Sequence, residues 1–180
     1  LKDRGLDSNT LIIFTSDNGP AITGSHPHGF TAGYREKKGH TYDGGIRVPG
    51  IMVWPGQIKA GTTNNTPVSG IDILPTLAEL AGIKRPATRP LDGTSVVAAM
   101  YGKPINRKQP LYWHFNASRS APKVAIRSGP WKLLATVTGE QISPYSDILG
   151  KNQDLLKAAE LDQFELYILE TDPAEKNNLL

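Results

Sequence analysis

Leu11-Ile12-Ile13-Phe14 is an unbroken apolar run, rich in β-branched residues and bounded by polar ones. Such a run predicts a strand buried on both faces of a largely parallel sheet. Ile46, Val48, Ile51 and Val53 predict another strand, bent at Pro49-Gly50. Before these, Leu1 to Leu6 reads as the end of a helix closed by Gly5. Leu74, Leu77, Ala78 and Ala81 recur at helical spacing behind Asp72, a fitting N-cap, and ahead of Gly82. They predict a helix with Pro75 in its first turn and those four residues as its apolar face. Lys84 to Pro90 is a proline-flanked connector, and Asp92-Gly93-Thr94-Ser95 turns into a short helix ending near Tyr101-Gly102.

From Lys103 to Gln109, Pro104 and a small basic cluster interrupt the pattern. Beyond it, Leu111 to Phe115, Val124 to Arg127 and Trp131 to Ala135 read as antiparallel strands, the last two joined by Ser128-Gly129-Pro130. Lys151 to Leu161 reads as a helix of modest strength and Glu165 to Leu169 as a final strand. The fold class is therefore α/β. Residues 1–103 form a mixed or parallel sheet layer with helices, and 104–180 a small antiparallel subdomain with a helix.

Composition narrows the function classes. The chain has 180 residues and a net charge of +3, with no cysteine. Disulfides, thiolate metal sites and a cysteine nucleophile are thereby excluded from these residues. Basic residues are scattered, no helix carries a basic face, and aromatic and basic residues do not interleave, so nucleic acid is not an expected partner. No apolar run reaches the length of a membrane span. The chain starts at Leu1 without methionine, and both ends read as cut from something longer.

The candidate chemistry begins where the first strand ends. Asp17 and Asn18 offer a carboxylate and an amide oxygen, hard ligands suited to Ca²⁺ or Mg²⁺. Followed by Gly19-Pro20, they also fit a plain turn. Pro20 to Lys37 is a long irregular loop, a length that marks function or disorder. Within it, His26 and His28 fit a metal or substrate as well as an exposed loop. Lys38 stands close behind the Asp-Asn pair, where its ammonium would hold an anionic ester as a point charge. His40 is placed to donate a proton or hydrogen-bond the ester. Gly44-Gly45 suggests a backbone shape that side chains forbid. Arg47 fits an anion contact or an ion pair. His114, flanked by aromatic residues, fits a substrate contact or the polar face of its strand.

FTSDNG followed by Lys38-Gly39-His40-Thr41-Tyr42-Asp43-Gly44-Gly45-Ile46-Arg47-Val48-Pro49 resembles the sulfatase family, the alkaline-phosphatase-like sulfuric ester hydrolases. GIDILPTLAELAGI, LDGTS, AIRSGPWKLL and ELYILETDPAEKNNL continue the resemblance in order to the end of the chain. It implies that Asp17 and Asn18 bind calcium and that Lys38 contacts the sulfate. It also implies a sulfate-ester small molecule or sulfated glycan as substrate, and a periplasmic, secreted or lysosomal-type compartment.

The family's nucleophile, a Cys or Ser in C/S-x-P-x-R oxidised to formylglycine, has no counterpart here. Ser120-Ala121-Pro122-Lys123 lacks the arginine and lies downstream of the motif's place. The expectation is the C-terminal portion of a sulfatase, inactive alone, whose formylglycine and remaining metal ligands belong to a missing N-terminal part. A phosphoesterase or phosphonate hydrolase of the same superfamily, and a non-catalytic sulfated-glycan-binding domain, are the competing readings.

Overall fold

The computed structural model describes residues 1–84, 90–143 and 149–180. Most of the expected connector at 84–90 lies outside them. In chain order the elements are β1 (Ile12–Thr15), α1 (Asp43–Ile46), β2 (Gly50–Val53), α2 (Ile73–Leu80), α3 (Val97–Met100), β3 (Leu111–His114), β4 (Pro122–Ser128), β5 (Trp131–Thr138), α4 (Gln153–Ala158) and β6 (Glu160–Ile168). This is a mixed α/β chain with small antiparallel sheets and few helices. It divides into two compact units, 1–16 with 49–109, and 17–48 with 110–180. The chain passes between them after residues 16, 48 and 109.

In the first unit, β1 and β2 pair antiparallel, Ile12 opposite Val53 and Thr15 opposite Gly50. The Leu11–Phe14 run is therefore a strand, but its expected burial is corrected: Phe14 is 60% exposed, and Ile12, Ile51 and Val53 are open too. Its only ladder partner among the described residues is β2, and within it only Ile13 is partly covered. The second strand also starts later than its apolar pattern suggests, at Gly50, because Ile46 closes α1.

Asp72 anchors the rest of this unit. Its carboxylate accepts the Ser69 N–H at 2.8 Å and the Thr94 N–H at 2.8 Å. Arg107 grips both its oxygens, at 3.0 and 2.6 Å. A fully buried carboxylate held by a forked guanidinium and two amides is satisfied on every side, which explains how it sits 1% exposed. Asp72 stands at the N-cap position of α2, but its side chain makes no capping bond to that helix; it closes the preceding turn through Ser69 and forms a structural ion pair with Arg107. The apolar face expected on α2 is corrected as well: Leu74 is 62% exposed and Leu77 is open, while Pro75, Thr76 and Ala78 are buried. The Thr76 hydroxyl decides that orientation, donating to Asp72 O at 2.6 Å and accepting the Val96 N–H at 3.0 Å.

The second unit is built on a four-stranded antiparallel sheet in the order β3-β4-β5-β6. The β4–β5 hairpin pairs Ser128 with Trp131 around Gly129, whose φ of 56° suits glycine in that turn. Ala125, Leu134, Tyr167 and Leu169 form the core, and Tyr42 is planted among them from the 17–48 segment. The helix expected over Lys151 to Leu161 stops at Ala158. Glu160 and Leu161 join β6 instead, opposite Thr138 and Val137. Ladder pairing along the full length of β5 outweighs a weak helical preference there.

Candidate active site

Asp17 and Asn18 follow β1 and enter the second unit at once. Their backbone is fixed by contacts only glycines permit. Gly19 N–H donates to Gly45 O at 2.8 Å, and Lys38 N–H to Pro20 O at 3.1 Å. A Cβ on Gly45 would lie 2.2 Å from His40 O, and one on Gly44 2.1 Å from Glu36 O. Neither glycine has a positive φ; both sit in α1. The expectation of an unusual backbone shape at Gly44-Gly45 is thus corrected: what glycine supplies here is close approach, letting the 35–45 segment fold onto itself.

That segment is moored to the sheet by buried charge. Lys132, on β5, points inward with no solvent exposure and reaches Asp43 Oδ1 at 2.7 Å and Glu175 Oε1 at 2.8 Å. The second contact is an ion pair rather than a well-directed hydrogen bond, since Oε1 has no hydrogen-bond partner of good geometry among the described residues. Glu175 Oε2 accepts the Asp43 N–H at 2.6 Å. Burial raises the Glu175 carboxyl above its usual range, against the pull of Lys132 and the Asp43 amide. Arg35 lies over the Tyr42 ring, 3.8 Å from its centroid, and donates to the Tyr167 hydroxyl and Glu175 O, each at 3.0 Å. Arg47 donates to Asp43 Oδ2 at 3.4 Å and stacks over Tyr34, so its role is structural.

The result is a cleft of about 600 Å³ within the second unit. Asp17, Asn18, Lys38, His40 and His114 all line it. Its far wall is the edge strand β3 with Tyr112 to Phe115, then Arg119 from the following loop. Among the described residues no three acidic, His or Cys side chains cluster as a metal site.

His40 is largely buried, with Nε2 3.5 Å from Glu36 Oε2 and Nδ1 buried without a hydrogen-bond partner among the described residues. Burial lowers its basicity, Glu36 pulls the other way, and Arg119 and Lys37 reinforce the lowering. At 3.5 Å the Glu36 contact is a loose polar one. Burial lowers His114 in the same direction.

The other sequence candidates do not reach the cleft. His26 and His28 are exposed, and His26 Nδ1 contacts Ser25 Oγ at 3.0 Å. Ser120 hydrogen-bonds within its own loop, 2.9 Å from Ser118 Oγ. Sequence reasoning missed Arg119 and the Asp43–Lys132–Glu175 node. The one local signal for the node is a lysine at an inward position of the apolar strand Trp131 to Ala135.

Comparison with known proteins agrees with this architecture. The sulfatase family model matches residues 1–83. Human arylsulfatase A is 36% identical, over 99% of this chain and 35% of its own length. The crystal structure of PsFucS1 sulfatase from Pseudoalteromonas sp. aligns with a TM-score of 0.72 at 29% identity, over 99% of this chain and 34% of its own. BT4656, solved in complex with its substrate D-glucosamine-2-N,6-O-disulfate, aligns with a TM-score of 0.65 at 26% identity, over 99% of this chain and 31% of its own. The chain thus spans about a third of the length of these relatives. No described helix is long and apolar enough to cross a membrane. With relatives named as sulfatases matching it from end to end, the chain belongs to the sulfatase family.

Proposed function

We propose that this chain carries part of the active site of a sulfuric ester hydrolase. The convergence of Asp17, Asn18, Lys38, His40 and His114 on one cleft is the observation that supports this reading. Lys38 offers its ammonium to the sulfate oxygens and offsets charge that grows on them as the ester bond breaks. His40, whose basicity burial lowers, serves as a hydrogen-bond partner or proton carrier beside the ester.

Asp17 and Asn18 fit a hard divalent cation in donor type, calcium or magnesium, and supply two of the six to eight oxygens calcium takes. The cation would polarise the sulfate oxygens when bound. The remaining ligands, and a nucleophile of the formylglycine kind, come in this reading from residues outside these 180. The full-length protein works in a periplasmic, secreted or lysosomal-type compartment.

Two measurements on the full-length protein test the proposal. Calorimetric titration should show calcium binding that Asp17→Ala abolishes; an unchanged titration contradicts the ligand assignment. Peptide mass spectrometry should find formylglycine in a C/S-x-P-x-R peptide. An unoxidised Ser or Thr there would favour a phosphoesterase instead.

A further inference from the structure

Arg119 is held in place more firmly than a loop arginine needs to be. Its N–H donates to Gly39 O at 2.8 Å, and the loop returns to β4 through Phe115 N–H to Lys123 O at 2.8 Å. Its Cδ and Nε lie against Gly39: a Cβ there would stand 3.2 Å from both. Gly39 also has a φ of 93°, so both its backbone and its missing side chain make room for the arginine. Arg119 is thereby fixed one residue from Lys38, on the wall of the same cleft.

The charges of the cleft do not balance. Lys37, Lys38 and Arg119 line it against one carboxylate, Asp17. Lys37 is already engaged, donating to Ile22 O at 2.6 Å. Among the described residues Arg119 meets no carboxylate at ion-pair distance. Lys38 suffices for the ester sulfate, which leaves Arg119 over. Its planar fork matches a sulfate or carboxylate bidentately. The same cleft is lined by Tyr112, 58% exposed, and by Phe115, also open. Exposed rings and a fixed cation on one cleft suit a sugar face bearing an acidic group. A cleft of about 600 Å³ has room for more than one small ester.

We propose that Arg119, in a cleft also lined by Tyr112 and Phe115, is a second anion subsite. It selects a saccharide that carries another sulfate or a carboxylate beside the ester to be cleaved. This rests on the sulfatase reading and names its substrate class.

The test uses the full-length protein and calorimetric binding of three probes: a monosulfated hexosamine, the same sugar with a second sulfate, and a monosulfated uronic acid. The disulfated sugar should bind about tenfold more tightly than the monosulfated one, the gain expected of a charge-assisted pair. Arg119→Ala should erase that ratio and Arg119→Lys restore part of it, whereas Lys38→Ala weakens all probes in parallel. The uronic acid arm tells whether a carboxylate serves as well as a sulfate. No preference in the parent protein, or a preference that survives Arg119→Ala, overturns the subsite. Sulfate release assayed on the same probes separates the two claims. Binding discrimination without hydrolysis sinks the sulfatase reading alone; hydrolysis without discrimination sinks the subsite alone.

Discussion

Lys132 Nζ lies 2.7 Å from Asp43 Oδ1, and both side chains are sealed from water. The pair spans 89 residues of sequence and ties strand β5 to the turn that follows Lys38 and His40. Buried ion pairs add little net stability, but breaking one strands the remaining charges. Here Lys132→Met would leave Asp43 and Glu175 facing each other with only the partly exposed Arg47, 3.4 Å from Asp43, as counter-charge. The expected loss is about 3–5 kcal/mol, read by denaturant unfolding. A variant as stable as the parent would show that the node is not a mooring.

Gly45→Ala should act on the same turn from the other side. Its Cβ would meet His40 O at 2.2 Å and Lys37 O at 2.7 Å, both backbone atoms that cannot swing away. Displacing them costs about 1–3 kcal/mol and moves the Lys38–His40 turn. The thermal midpoint and the affinity for inorganic sulfate should fall together. Gly24→Ala, where nothing lies within 4 Å, should stay within about 0.5 kcal/mol of the parent.

Stability should fade at both ends of the pH scale. On the acid side, burial holds His40 and His114 below their ordinary values. An unfolded chain takes up protons near pH 6.5, before the folded one does. Stability is therefore full above about 6.5 and falls as pH drops through the depressed folded values. His40→Gln should flatten part of that slope in chemical unfolding measured from pH 7 downwards.

The alkaline arm runs through two tyrosines on Glu165. The Tyr42 hydroxyl lies 2.8 and 2.9 Å from the two oxygens of Glu165, and the Tyr167 hydroxyl lies 2.6 Å from one of them. Burial first, then Glu165, pushes Tyr167 up to about 12 and Tyr42 in the same direction. The unfolded chain loses these protons near pH 10, so stability is full below that and falls as pH rises through about 12. The Tyr42→Phe, Tyr167→Phe double variant should remove much of this loss. An unaltered alkaline slope would show that these hydroxyls titrate normally.

What could be read from residues alone follows the range of the signal. Asp17, Asn18, Lys38 and His40 lie within one dense stretch, and the β4–β5 hairpin is written locally by Ser128-Gly129-Pro130 between alternating runs. The structure brings those four residues to one cleft and forms that hairpin. Lys132 and Glu175 were not legible, because a lone charged residue reads as a solvated face until partners 89 and 132 residues away from Asp43 are known. Arg119 hid for the same reason, its neighbour being Gly39. The burial expected at Leu11–Phe14 and Leu74 failed differently: apolar pattern shows that a face is fit to be covered, and cover depends on what lies against it.

The proposed function turns on Lys38 holding a sulfate ester in this cleft. The most direct measurement is steady-state sulfate release from an aryl sulfate by the full-length protein, parent against Lys38→Ala. Release by the parent and a KM raised by about tenfold or more in the variant are expected, the worth of a lost charge-assisted contact. Identical kinetics for the two proteins, or a parent that releases no sulfate, would contradict the proposed function.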